Sequence, residues 1–466
     1  MRSRLILVLP LLCLGACAVG PDYRRPEVAL PARFSEAGDE WRATQPGRFE
    51  VPADWWRVFG DAELDRLEAQ VVVDNQTLKA AEAQYRAARA AVNSAAAARF
   101  PTVTGSAAAS RSHSTGATTD SVSLLVSASW EIDLWGRVRR SVEAAQARAE
   151  ASADDLAAAR LSTQALLAQT WFQLRAADAQ HRLLQRTQAA YARFLALTGD
   201  RYAAGVASRL DIAQAETQLG TVRTQLSEIE LQRAQLEHAL TALLGGKAAP
   251  AEARAPLPAV PPAPTLLPST LLEQRPDLAA AERLAAAANA QIGLAQTAYY
   301  PLVDLGATAG GRASALARLF DAPNRLWSLG PSLAMTLFDG GARSAGVEQA
   351  RAGYDQAVAV YRQTVLTAFQ EVQDNLAAAR LLERETGEQE QTLAAARRAR
   401  EIAEDQYRAG TISALNVITA QAQELAAERG AVDIHSRRLA ASVQLLKNAG
   451  GRTAPPEPAG RTDPGR

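Results

Sequence analysis

The chain carries one succession of signals twice, and any fold it adopts has to satisfy both copies. Asn75-Gln76-Thr77-Leu78 opens a helical run that ends Arg99-Phe100-Pro101. Arg275-Pro276-Asp277-Leu278 opens another that ends Tyr299-Tyr300-Pro301, an offset of 200. Later, Arg201-Tyr202-Ala203-Ala204-Gly205 matches Gln406-Tyr407-Arg408-Ala409-Gly410 at an offset of 205, and Arg148 has a counterpart near Arg351. Each half reads helix, alternating strands, very long helix, Tyr-x-x-Gly turn, long helix. Two copies make a duplication and not a solenoid.

The helices are long. No proline occurs from Thr102 to Ala249 or from Ser332 to Ala454. A helix over 137–200 would reach roughly 95 Å at about 1.5 Å per residue, far beyond a globular helix, and 341–409 could match it. Ile212, Leu219, Val222, Leu226, Ile229, Leu236, Leu240 and Leu243 fit one heptad register, as do Leu415, Ile418, Leu425, Val432, Leu439, Val443 and Leu446. Periodicity alone leaves a plain antiparallel bundle open. The strands discriminate. Val122, Leu124, Val126, Ala128, Trp130, Ile132 and Leu134 alternate with Ser121, Ser123, Ser127, Ser129, Glu131 and Asp133, with Leu125 the exception. That period-2 run is long enough to cross a bilayer when tilted. Its partner, Thr102 to Arg111, has a weak apolar face of Val103, Gly105, Ala107 and Ala109. In the second half Val303, Leu305, Ala307 and Ala309 form one face, and Leu329, Leu333, Met335 and Leu337 another. Trp130, Trp135 and Trp327 fall near strand ends.

Two hairpins per chain cannot close a membrane barrel. Such barrels start at about eight strands, and open edges are not tolerated in hydrocarbon. Two copies give eight strands and little lumen; three give twelve and a water-filled one. A conduit needs three.

Other classes lack support. Lys+Arg and Asp+Glu both number 50, so no charge excess points to nucleic acid. His113, His181, His238 and His435 show no metal-ligand spacing, and no phosphate loop or Ser/His/Asp order is present, so neither cofactor nor enzyme is expected. Both cysteines lie in the first 17 residues. Arg2 and Arg4, the apolar run Leu5 to Leu14, and Leu14-Gly15-Ala16-Cys17 resemble a bacterial lipoprotein signal. Cys13 would leave with that peptide and Cys17 would carry the lipid. Ala18, rather than Asp, then points to the outer membrane.

These residues resemble the outer-membrane factor family, specifically its lipoprotein branch (TolC-like, NodT type). Cys17-Ala18-Val19-Gly20-Pro21-Asp22-Tyr23 and Pro26 look like its mature N-terminus. Trp55-Trp56, Phe59, Asp61, Leu64 and Leu67 match the segment before its first helix. Ala281-Glu282-Arg283, Ile292-Gly293 and Leu337-Phe338-Asp339-Gly340-Gly341 match its second half. The resemblance runs from Cys17 to about Ala449. It implies a mainly α fold with a small β part: long antiparallel coiled-coil helices forming an α-barrel, and four strands given to a trimeric twelve-stranded transmembrane β-barrel. The expected partition is a signal peptide at 1–16, a lipidated extended segment at 17–60, a first repeat at 61–246, a Pro-rich linker at 247–270, a second repeat at 271–450 and a disordered tail at 451–466. The first repeat holds strands 102–111 and 121–134 and long helices 137–200 and 208–244. The second holds strands 302–311 and 328–338 and long helices 341–409 and 413–447.

The resemblance further implies a homotrimer working with a periplasmic membrane-fusion adaptor and an inner-membrane pump, of the RND type, as the passive exit duct of an efflux system. An outer-membrane component for protein secretion, or a coiled-coil adaptor, remains open. The Tyr202-x-x-Gly205 and Tyr407-x-x-Gly410 turns would form the tip that docks the adaptor. Leu415 and Thr419 occupy the positions where lipoprotein relatives carry a Leu ring and an Asp ring. Thr419 departs from that acidic ring, and Asp211, in the first repeat, could supply the charge instead. The competing reading of Asp211 is a solvated carboxylate at a helix end, and that of the two tyrosines is packing beneath the turns.

Overall fold

A computed structural model describes residues 18–28, 54–247, 256–262 and 275–449. The signal segment, Cys17, most of the Pro-rich linker and the 451–466 tail lie outside the described residues. In chain order the elements are α1 (Ala62–Asp74), α2 (Gln76–Ala97), β1 (Thr102–Ser114), β2 (Ala117–Glu131), α3 (Arg137–Ala203), α4 (Arg209–Leu243), α5 (Pro276–Thr297), β3 (Leu302–Ala313), β4 (Arg325–Ala334), α6 (Ala342–Arg408) and α7 (Ala414–Asn448). The duplication is visible in their lengths. α2 and α5 have 22 residues each, α3 and α6 have 67, and α4 and α7 have 35. Spatially the chain divides otherwise: its two compact units each take segments from both halves.

The first unit comprises Met1–Val28, Ala83–Asp154 and Asp277–Thr364. Its centre is one antiparallel sheet in the order β1-β2-β3-β4. β1 and β3 run on past 111 and 311, to Ser114 and Ala313, and two strands stop short of their own patterns. β2 stops at Glu131 rather than 134, because Asp133 turns to cap α3, its carboxylate accepting from the N–H of Val138 (3.1 Å) and Arg139 (3.0 Å). β4 covers Arg325–Ala334 rather than 328–338, because its pairing ends where Ala334 meets Leu302, the first residue of β3. Pro301 precedes that residue, so no ladder remains for Met335 and Leu337 to join. The β1–β2 turn is Thr115-Gly116, both at positive φ (50° and 83°), the twist a two-residue hairpin requires.

Residues 18–28 are bound to the helices of this unit. Val19 N–H donates to the Trp135 carbonyl (3.1 Å), and buried Arg140 donates to the carbonyls of Val19 (3.1 Å) and Gly20 (3.2 Å). Asn289 holds the Pro21 carbonyl (2.9 Å). Gly20 meets Gly293 so closely that a Cβ on Gly20 would lie 2.3 Å from the Gly293 Cα. A glycine at each position allows this backbone contact, and Gly20 also has φ 107°.

The second unit comprises Ala29–Glu82, Asp155–Pro276 and Val365–Arg466. Trp55, Phe59, Leu64, Leu67 and Val71 pack with Leu167, Trp171, Phe172 and Leu174 of α3, Leu240 of α4, Phe369, Val372 and Leu376 of α6, and Leu439 and Val443 of α7. Asp61 organises the entry to α1. Its Oδ1 accepts from Glu63 N (3.1 Å) and Leu64 N (3.2 Å), capping the helix. Its Oδ2 accepts from Trp171 Nε1 (3.0 Å) and from Arg175 Nη1, whose other terminal nitrogen donates to the Pro256 carbonyl. Asp61 thus joins the start of α1 to α3, and Arg175 carries the link on to a segment of the linker.

Candidate functional site

Two sets of residues in the described chain present chemistry to their surroundings. The first is the sheet. Directly paired residues share a face, so register sorts the side chains. Val103, Ala128, Ala307 and Leu329 form one row, and Gly105, Val126, Ala309 and Trp327 the next. Between them on the opposite face runs Thr104, Ser127, Thr308 and Ser328. Ser127 Oγ and Thr308 Oγ1 lie 3.2 Å apart, and Thr104 Oγ1 donates to the Ser127 carbonyl (3.4 Å). One face is apolar and the other is faced with hydroxyls. The apolar face is unburied: Val103, Leu124, Val126, Trp327, Leu329 and Leu333 are all exposed. A contiguous exposed apolar surface of this kind marks a membrane or protein contact. Register also gives β1 the apolar face that its own Gly and Ala residues only weakly define. Below the strand ends Trp135 stacks on Tyr300 (centroids 4.9 Å) and donates to the Pro301 carbonyl (2.8 Å), fixing an aromatic pair there. Among the described residues no helix is long and apolar enough to cross a membrane. The outer edges of β1 and β4 have no partner strand among the described residues.

The second set is the pair of turns between the long helices, in the second unit. Gly205 and Gly410 take positive φ of 78° and 76°. Each accepts the same closure. Gly205 N–H bonds the Tyr202 carbonyl and Val206 N–H bonds Arg201; Gly410 N–H bonds Tyr407 and Thr411 N–H bonds Gln406. These are two Schellman ends, and only glycine reaches that φ without strain. The turns touch. Arg201 Nη1 donates to the Tyr407 carbonyl (2.7 Å), and its guanidinium lies 4.5 Å from the centroid of the Tyr407 ring.

The repeated residues are not equivalent here. Tyr407 is 5% exposed and packs on Phe194 (5.4 Å), whereas Tyr202 is 43% exposed. Asp211 belongs to a capping box: its Oδ2 accepts from Ser208 N (2.8 Å) and Ser208 Oγ (2.7 Å), while Ser208 Oγ accepts from Asp211 N. Its counterpart in the second repeat is the neutral Asn416, which reaches Ser413 Oγ (3.4 Å). Leu415 is 51% exposed on α7, and Thr419, one turn on, is exposed with its hydroxyl donating to the Leu415 carbonyl (2.8 Å). That bond leaves the Thr419 oxygen lone pairs outward but supplies no charge. One residue escaped the reading from sequence. Leu210, offset from Leu415 by the repeat distance, is 65% exposed at the start of α4. The duplication itself carries the signal that would have found it.

Among the described residues no group of His, Cys, Asp or Glu is arranged to hold a metal ion.

Comparison with known proteins agrees with this geometry. Residues 69–246 and 267–451 match the sequence profile of the family described as Outer membrane efflux protein. The chain is 31% identical over 464 residues to the probable efflux pump outer membrane protein TtgC of Pseudomonas putida, covering 97% of this chain and 96% of the relative. It is 33% identical over 460 residues to the outer membrane protein OprJ of Pseudomonas aeruginosa, covering 94% of each. Among solved structures, CusC, reported for the conformational changes that accompany folding and transmembrane channel formation, superposes with a TM-score of 0.85 at 27% identity, covering 93% of this chain and 100% of that one.

Proposed function

We propose that this chain, which belongs to the outer membrane efflux protein family, completes its channel wall with two further copies of itself and forms the exit duct of a pump assembly. The protein is an outer-membrane efflux channel, and its fold is that of the TolC-like channels. The observation that carries the trimer is the four-stranded sheet with two open edges. Backbone groups at those edges have no water to bond in hydrocarbon. β1 and β4 run in opposite directions, so β4 of one copy can extend the antiparallel ladder onto β1 of the next, and three copies close a ring of twelve strands around a lumen. The exposed apolar rows then face lipid, and the Thr104–Ser127–Thr308–Ser328 hydroxyls face water.

Lipid on Cys17 fits the same orientation. Val19 is bonded to Trp135, beside the Trp135–Tyr300 stack at the strand ends, so an acylated neighbour one residue before Ala18 would start at an aromatic belt. Cys17→Ala is expected to abolish incorporation of radiolabelled palmitate while leaving the barrel able to fold; label on the variant would sink the assignment.

The turns at Gly205 and Gly410 are the surfaces for the periplasmic adaptor, which links the duct to an inner-membrane pump of the RND type. Relatives named as efflux pump components favour efflux over protein secretion. Leu415 and Leu210, one from each repeat, are the apolar side chains that narrow the closed tip, with Thr419 a neutral hydroxyl ring behind Leu415. Asp211 is occupied in its cap and contributes field rather than contact. Leu415→Ser and Leu210→Ser are each expected to raise resting conductance several-fold in planar bilayers, and the pair more than either. Conductance equal to the parent in all three variants would refute the gate and leave the trimeric wall standing.

A further inference from the structure

Pairing register fixes which side chains share the hydroxyl face of the sheet, and only three of them ionise. Glu131 and Asp304 stand opposite one another at the end next to the helices. Arg312 stands opposite Ser123, one residue from the far end of β3. Between these levels the face carries Ser, Thr, Gly, Ala and Leu.

The two ends differ in how their charge is met. Arg137 donates to Glu131 (2.7 Å), which leaves Asp304 in excess. Arg312 is exposed and makes no ion pair among the described residues. Its neighbours on the face, Gly310 and Ser123, carry no charge. Arg111, on the other face, is by contrast held by Asp120 (3.5 Å). From the end of β3 to the first residue of β4, Arg318 and Arg325 outnumber the one acid, Asp321, so the sign there is also basic. β1, the strand that a neighbouring copy would bring beside β4, contains no acidic residue.

We propose that Arg312 sets the ion preference of the barrel, as one member of a basic collar formed by three copies. The inference rests on the three-chain wall proposed above. Twelve strands about 4.8 Å apart and tilted about 40° enclose a lumen of roughly 12 Å backbone radius. The guanidinium groups project inward from that wall and stay charged at any working pH. The Debye length is about 10 Å at about 0.1 M salt, so their field reaches the pore axis. The collar draws anions in and holds cations back. Anionic cargo passes this level more readily than cationic cargo of equal size.

The test measures reversal potentials of full-length particles, taken from the outer membrane into planar bilayers, under a KCl gradient centred on about 0.1 M. Arg312→Gln is expected to lower the chloride-to-potassium permeability ratio about fourfold, the effect of three unit charges about 10 Å from the axis in screened water. Arg312→Glu should lower it further, and both differences should vanish near about 1 M, where the Debye length is about 3 Å. Arg312→Cys controls for folding, because its charge can be changed on one and the same particle. Aminoethyl methanethiosulfonate, which leaves a cation on the thiol, should return the parent ratio. Sulfonatoethyl methanethiosulfonate, which leaves an anion, should carry it below that of Arg312→Gln. Parent protein treated with each reagent is the blank. Equal reversal potentials in the parent, Arg312→Gln and Arg312→Glu at the lower salt would overturn the collar. Native mass spectrometry of the same particles separates the two readings. Three chains with unmoved potentials sinks the collar alone; any other count sinks the wall, and the collar with it.

Discussion

Gly310→Val is expected to abolish the heat-resistant outer-membrane oligomer. Gly310 pairs with Leu125 across β2–β3, the seam that joins the hairpin of one half to the strands of the other. A Cβ there would lie 2.1 Å from the Leu124 carbonyl oxygen and 2.9 Å from the Leu125 Cα. Both are backbone atoms of a paired strand, so no rotamer change relieves the overlap. Ordinary overpacking costs about 1–3 kcal/mol, and a backbone collision in a ladder exceeds it. Losing this seam leaves two hairpins, neither stable alone. The variant should be missing from the outer-membrane fraction and run as monomer in unheated gels. Gly306→Ala is the control, since the nearest atom to its added Cβ is the Gly330 carbonyl oxygen at 3.9 Å. It should migrate like the parent. An intact Gly310→Val oligomer would mean that the seam is looser than the register describes.

Asp61→Ala is the second large effect, and it acts in the other unit. The substitution removes the cap of α1, worth about 1 kcal/mol. It also strands Arg175, buried with its remaining bond to the Pro256 carbonyl, and loss of one partner of a buried ion pair costs about 3–5 kcal/mol. The two losses share one carboxylate and do not simply add. Asp61→Asn keeps the Oδ1 cap but not the charge, and should fall between. Unfolding followed by circular dichroism in urea checks the order. A loss confined to about 1 kcal/mol in Asp61→Ala would show that Asp61 is a cap and nothing more. Replacing both partners, Asp61→Leu with Arg175→Met, should recover part of the loss, because the stranded charge is gone.

The Asp61 cluster also marks where sequence reasoning stops. Trp171 and Arg175 are more than 100 residues away, and nothing in a local pattern brings an aspartate before α1 to an arginine in the middle of α3. What repeats or alternates was legible. The long helices showed in the proline-free runs, β2 in its Ser-and-apolar alternation, and the two turns in their glycines. The ends of β2 and β4 were not legible, because pairing and capping set them. Leu134 and Leu337 continue an apolar pattern after the ladder has closed.

At the turns the sequence was read too symmetrically in one respect and not symmetrically enough in another. Tyr202 and Tyr407 hold matching places in the repeat, yet only Tyr407 is buried, because Arg201 and Phe194 enclose it and the residue matching Arg201 in the other half is Gln406. Leu210, by contrast, follows from Leu415 by the same arithmetic. The cap at Asp211 was written locally: Ser208 three residues before it is the signature of a capping box.

The claim on which the account rests is that one chain's four strands need two more copies to seal the wall. Native mass spectrometry of the particle extracted from the outer membrane tests it most directly. Three chains per particle is the result the open edges of β1 and β4 require. A single chain that conducts, or a stable pair, would contradict it.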